Sequence, residues 1–83
     1  MSTVMDSNTE TIYVHLLNEG TAVLRPTQGI SLGGNVYRLL PTPDYDPADE
    51  TWEFLPGSMV RCTTEDRYGA EVLVALQAVA KSA

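Results

Sequence analysis

The chain has 83 residues, of which 43% are hydrophobic, and its formal net charge at pH 7 is −6. This length fits a single domain, and the hydrophobic content is ordinary for a globular protein, which argues against disorder along most of the chain. Only five basic residues are present and they are scattered singly. The sequence therefore disfavours binding to nucleic acid or to an anionic membrane surface, since both attract clustered Lys and Arg.

Cysteine usage and the first residues of the chain bear on its compartment. Cys62 is the only cysteine, so no intramolecular disulfide can form, whereas a small secreted domain usually needs several. The first ten residues are polar, and the longest apolar run is far shorter than the roughly 20 residues that span a membrane. We therefore expect a cytoplasmic protein with no signal peptide and no membrane span.

The N-terminal half of the chain has the pattern of strands after an initial tail. Residues 1–10 lack apolar periodicity, so we expect a flexible tail followed by one β-barrel domain over residues 11–80. A period of two in TIYVHLL predicts a strand, and Asn18 and Gly20 then favour a hairpin turn. The next strand, TAVLRPTQGISL, contains Pro26 and must be an edge strand or carry a bulge. A Gly-Gly-Asn turn leads into a third strand, VYRLL.

The second half begins with a proline-rich stretch. The prolines of PTPDYDPADE predict one long loop over residues 41–50, because each proline restricts the residue before it. TWEF is predicted to be a short strand whose Trp52 and Phe54 share a face and fill the core. Pro56–Gly57 fits a type II turn, and SMVRCTT then predicts a strand with Cys62 on its apolar face.

The C-terminal segment and the turn spacing decide the fold class. Val72, Val74 and Leu76 alternate and favour a strand, while the alanines, Gln77 and Lys81 leave a helix as the alternative. Short strands with Gly or Pro turns every 8–12 residues or so are typical of an all-β sandwich or barrel. At this length we expect a small SH3-like barrel of five to six antiparallel strands, since closing a small sheet protects its edges.

Two stretches of the sequence carry a resemblance. LLNEGTAVLRPTQGISLGGNVYRLL and WEFLPGSMVRC resemble a group of small bacterial proteins of uncharacterised function. Those proteins carry an EGT-x-V-x-R-P stretch and a W-E-F-x-P-G-S/D-x-V motif on an SH3-like β framework. The resemblance covers roughly residues 12–64. It implies that fold, and it implies no activity, ligand or catalytic residue.

The clearest functional signal is an acidic segment, residues 43–54, which holds five of the eleven carboxylates, three aromatic residues and no basic residue. Such a segment attracts a positively charged partner. We expect a non-enzymatic protein-interaction module that presents this segment to a basic protein segment, with Tyr45 exposed as its apolar contact. The candidate contact residues are Asp44, Tyr45, Asp46, Asp49 and Glu50.

Other kinds of site find weaker support. A binder of divalent cations or small molecules that uses the same segment is the alternative, although counting from Asp44 does not reproduce the ligand positions of an EF-hand. His15 is the only histidine, so no multi-histidine zinc site can form, and a pairing with Cys62 is disfavoured because that thiol lies on an apolar face. The sequence predicts no catalytic residue and no cofactor, and it leaves the oligomeric state open.

Overall fold

The computed structural model describes residues 9–79, and these residues form six β-strands and no helix. The strands are β1 (Thr9–Leu17), β2 (Val23–Gly33), β3 (Val36–Leu39), β4 (Thr51–Trp52), β5 (Met59–Arg67) and β6 (Ala70–Ala78). The all-β prediction is confirmed, and the C-terminal segment is a strand as the alternation indicated. Within residues 9–79 there is accordingly no helix of a length and apolarity that could cross a membrane.

The boundaries of the domain differ slightly from those expected. β1 begins at Thr9, so the last two residues of the predicted tail belong to the sheet, where they pair with β2. The rest of the predicted tail, residues 1–8, and the last residue of the predicted domain, residue 80, lie outside the described residues.

Five of the strands close into a ring. β1 pairs with β2, β2 with β3, β3 with β5, β5 with β6, and β6 pairs back with β1. The first four pairings are antiparallel and the last is parallel, with Ile12 and Tyr13 beside Leu73 and Val74. Because direction alternates between antiparallel neighbours, a ring with an odd number of strands must contain one parallel pair. The small barrel is confirmed, but the expectation that all its strands are antiparallel is wrong.

The remaining strand, β4, is a two-residue addition to one end of the barrel. Leu16 and Leu17 of β1 pair with Trp52 and Thr51, respectively. The predicted strand TWEF is therefore shorter than expected. Its aromatic residues nevertheless behave as predicted, because Trp52 is 2% exposed and Phe54 packs against the same core.

The predicted turns form where Gly, Asn and Pro permit them. Gly34 and Asn35 separate the paired ends of β2 and β3 and have φ of 62° and 66°, which is the two-residue type I′ hairpin. The Ser58 amide donates to the Leu55 carbonyl at 3.0 Å, and Gly57 has φ of 92°. That geometry is the type II turn predicted at Pro56–Gly57.

Pro26 lies in the half of β2 that has only one neighbouring strand. It pairs with Tyr13 of β1, whereas β3 joins β2 only from Gly29 onward. The Gln28 carbonyl accepts from the Leu40 amide on the side away from β1, and Pro26, two residues earlier, directs its nitrogen to that same side. No strand lies there beside Pro26, so no ladder hydrogen bond is lost. This confirms the predicted edge position.

The core lies inside the ring and contains side chains from five of the six strands. Trp52 is the largest fully buried side chain, and burial of an aromatic residue of this size dominates the energetics of a small core. The other buried members of the cluster are Ile12, Val14, Tyr37, Leu39, Val60, Cys62 and Ala75.

Candidate functional site

The acidic segment begins in the connection between β3 and β4, residues 40–50, which is folded into successive turns. The Tyr45 amide donates to the Thr42 carbonyl at 3.0 Å, and the Asp49 and Glu50 amides both donate to the Asp46 carbonyl, at 2.9 and 3.1 Å. One Asp46 carboxylate oxygen also accepts a 2.9 Å bond from the Ala48 amide, as in an Asx turn. The predicted loop is confirmed, and its backbone has a defined shape.

Glu50 fastens the end of this connection to the barrel. Its Oε1 accepts hydrogen bonds from Trp52 Nε1 at 2.8 Å and from Arg25 Nε at 3.2 Å, and its Oε2 accepts one from Arg25 Nη2. The Glu50 side chain is 15% exposed and that of Arg25 is 34% exposed. Glu50 is therefore neutralised inside the molecule and is not available to a partner, contrary to the expectation.

The local strand geometry explains why Arg25 reaches this position. Arg25 is paired with Val14 across β1 and β2, and directly opposed residues of two strands share a face. Because the Val14 side chain is in the core, Arg25 extends toward the interior side of the sheet, where Glu50 supplies the compensating charge. A partly buried cation of this kind needs such a partner.

Tyr45 also turns inward. Its ring meets that of Trp52 edge to face, with centroids 4.9 Å apart and an interplanar angle of 70°, and it packs against the core cluster. Edge-to-face aromatic contacts are favourable beyond the apolar area that they bury. Tyr45 is half-buried, so the expectation that it is exposed is wrong, and its ring helps to hold the acidic segment on the barrel.

The other predicted contact residues remain in solvent. Asp44, Asp46 and Asp49 are all exposed. Residues 9–79 contain two ion pairs, Arg25–Glu50 and Arg67–Glu65, and neither involves these three carboxylates. The structure thus divides the five candidates into two that hold the segment and three whose charges face outward.

A shallow depression of about 250 Å³ lies beside the start of the acidic segment. The β3–β4 connection is attached there to β2, since the Leu40 amide donates to the Gln28 carbonyl at 2.9 Å and the Thr27 hydroxyl donates to the Leu40 carbonyl. Sequence reasoning missed this feature, because it is assembled from three separate stretches of chain. The residues that line it are Thr11, Pro26, Thr27, Gln28, Pro41, Thr42 and Pro43.

The two residues considered for nucleophilic chemistry lie on different sides of the sheet. Cys62 belongs to the core cluster and is 4% exposed. Burial, with a smaller contribution from the charge of Glu10, raises the pKa of its thiol to about 11, so the thiolate is scarce at neutral pH. His15 neighbours Val14 on β1 and therefore points to the opposite face. The two side chains do not form a nucleophile–base pair.

The alternative of a divalent-cation site has no converging ligand set in the described part of the chain. Residues 9–79 contain no group of three or more His, Cys, Asp or Glu side chains placed to hold a metal ion. One carboxylate oxygen of Asp46 is already used within its own turn, and Glu50 is used by Arg25 and Trp52. The acidic segment therefore presents separate charges on a surface, with no converging set of oxygens.

Comparisons of the chain with protein-family models, with curated proteins and with solved structures find no match. The resemblance to small bacterial proteins stays an expectation drawn from two motifs. In the structure, the first of these motifs contains Arg25 and the second contains Trp52. Both side chains donate to Glu50, so the two motif stretches meet at this one carboxylate.

Proposed function

We propose that this protein is a non-enzymatic interaction module whose acidic segment binds a basic segment of another protein through Asp44, Asp46 and Asp49. The observation that carries this proposal is that some residues of the segment attach it to the barrel while others are exposed to solvent. Glu50 and Tyr45 hold it against Trp52, while the three aspartates are exposed and belong to neither ion pair of residues 9–79. Charges held on a defined backbone lose less conformational entropy on binding than charges on a flexible chain.

The strength of exposed ion pairs limits how much these carboxylates can contribute to the free energy of binding. An exposed ion pair contributes about 0.2–1 kcal/mol, so three of them supply at most about 3 kcal/mol. A micromolar complex needs about 8 kcal/mol. The aspartates therefore speed association and set orientation in a salt-dependent way, and most of the affinity has to come from apolar contacts next to them.

Affinity capture with matched variants tests the proposal. The variant D44N/D46N/D49N removes three charges, and the amide oxygen that D46N introduces can still accept the turn hydrogen bond. The control E19Q/D66N/E71Q removes three charges from other exposed positions. From an extract of the source cells, the native chain and the control should recover the same basic protein, and raised salt should release it. Equal recovery by D44N/D46N/D49N would show that the acidic segment does not bind it.

A further inference from the structure

An aromatic pair lies on the outer face of the barrel, on the side away from the core. The rings of Tyr13 in β1 and Tyr68 in the β5–β6 turn have centroids 5.8 Å apart. Val74 is placed beside Tyr13 by the parallel pairing and is 1% exposed, so this region of the outer face excludes water from an apolar side chain. Tyr68 itself is 73% exposed.

The backbone at Tyr68 is unfavourable for a tyrosine. Tyr68 and Gly69 have φ of 56° and 76° and join the paired ends Arg67 and Ala70, which is a type I′ turn. Gly is preferred at the first position of this turn because it lacks Cβ, and Asn because its short polar side chain bonds locally, whereas another side chain costs roughly 1–2 kcal/mol at positive φ. The ring contacts Tyr13 but stays 73% exposed, so most of its apolar surface is free to contact another molecule.

The aromatic pair continues into the depression beside the acidic segment. Tyr13 is directly opposite Pro26, and Pro26 lines the depression together with Pro41 and Pro43. Pro43 is followed at once by Asp44. Tyr68, Tyr13, Pro26 and Pro43 thus form an apolar strip that crosses the outer face and ends beside Asp44, the first of the three exposed aspartates.

We infer that the apolar strip is the second half of the docking surface, and that the partner is an extended segment with an Arg or Lys close to an apolar residue. This inference rests on the proposed function. The apolar side chain occupies the depression and the basic side chain meets Asp44 and its neighbours. Pro43 lines the depression and Asp44 follows it directly, so their Cα atoms are only about 3.8 Å apart. Because an extended chain advances about 3.3 Å per residue, we expect the two partner residues within about three positions of each other.

The size and charge of the surface select this occupant. A depression of about 250 Å³ is below the range of roughly 300–1,000 Å³ that holds drug-sized ligands, and it suits one or two side chains. Burying one such side chain contributes about 1.5–3 kcal/mol, more than any single exposed ion pair. A second copy of this chain is disfavoured, since its net charge of −6 would approach an acidic surface.

Selection from a phage library of random dodecapeptides against the full chain tests the inference. Selected peptides should be enriched in an Arg or Lys within three positions of a large apolar residue. Y68N removes the ring while placing the preferred Asn at the turn, and P26Q places an uncharged polar side chain in the strip. The matched control is L32Q, which replaces another exposed apolar residue of β2 with glutamine.

The expected changes follow from the apolar contact. P26Q should weaken binding of the selected peptides about three- to tenfold, because it removes apolar surface from the contact, and Y68N should weaken it measurably, while L32Q leaves it unchanged. Peptides that are basic but bind P26Q and Y68N as well as the native chain would overturn the inference and leave the proposed function standing. A selection that enriches no basic residue would overturn both.

Discussion

Glu50 offers the most informative substitution, because its carboxylate accepts three hydrogen bonds from two side chains, Trp52 and Arg25. In Glu50→Ala the Trp52 indole N–H, in a side chain that is 2% exposed, loses its acceptor. Arg25 loses its counter-charge but is 34% exposed, so water can replace part of that interaction.

The free energies can be estimated from these two losses. An orphaned buried N–H costs about 1–3 kcal/mol, and loss of a partly exposed charge-assisted bond adds about 1 kcal/mol. Glu50→Ala should therefore lower the free energy of unfolding by about 2–4 kcal/mol. Glu50→Gln keeps an oxygen for Trp52, but it loses the charge toward Arg25 and replaces the oxygen that accepts from Arg25 Nη2 with an NH2 group that cannot accept. It should cost about 1–2 kcal/mol.

Chemical denaturation followed by Trp52 fluorescence measures these changes. Asp49→Ala removes a neighbouring carboxylate that is exposed, and it should change the free energy of unfolding by less than about 0.5 kcal/mol. If Glu50→Ala lowers the free energy of unfolding no more than this control does, Glu50 does not attach the segment to the barrel, and its structural role is refuted.

Three further predictions concern packing, charge and thiol chemistry. Gly29→Ala should destabilise by about 1–3 kcal/mol in thermal denaturation, because the added β-carbon would lie 2.8 Å from Ile12 Cγ1. Glu71→Lys should raise Tm by a few degrees, since Glu71 is directly opposite Asp66 and like charges in that position are destabilising. Because the pKa of Cys62 is raised from 9.0 to about 11, its thiolate at pH 8 is about a hundredfold scarcer than that of an ordinary thiol. A disulfide reagent should therefore react with the native chain more than about a hundredfold more slowly than with the chain in denaturant.

Each of these predictions has an internal control. Gly20→Ala adds a β-carbon with no atom within 4 Å and should be neutral, so equal losses at the two glycines would contradict the close approach at Gly29. Glu19→Lys makes the same charge change as Glu71→Lys away from the β5–β6 hairpin, and an equal rise in Tm would point to net charge alone. Fast labelling of Cys62 in the native chain would show that the thiol is accessible.

Local sequence patterns were sufficient to predict most of the strands and turns of the fold. Period-two alternation identified β1 and β6, and Gly, Asn and Pro marked the turns at Gly34–Asn35 and Pro56–Gly57, because these residues act through their own backbone angles. The turn at Tyr68–Gly69 was missed, because tyrosine is not one of the residues that favour positive φ. The parallel junction of β1 and β6 is a property of the closed ring, which no local window contains.

The site was predicted only in part, because which of its residues are exposed and which attach to the barrel depends on contacts between residues distant in the sequence. Nothing in the sequence distinguishes Glu50 from Asp49, since both are acids in the same loop. Only the pairing of Arg25 with Val14 places a cation where Glu50 can reach it, 25 residues along the chain. Tyr45 turns inward for a similar reason, as Trp52 lies beneath it.

An amide-resolved NMR titration of the full chain tests the central claim most directly, with a short peptide containing one leucine and two arginines as the probe. At low salt we predict saturable shifts centred on the backbone amides of residues 44–50 other than Pro47, which has no N–H, and their loss in D44N/D46N/D49N but not in E19Q/D66N/E71Q. Shifts of equal size around Glu19, Asp66 and Glu71 would contradict the claim, because binding would then follow net charge and not the acidic segment.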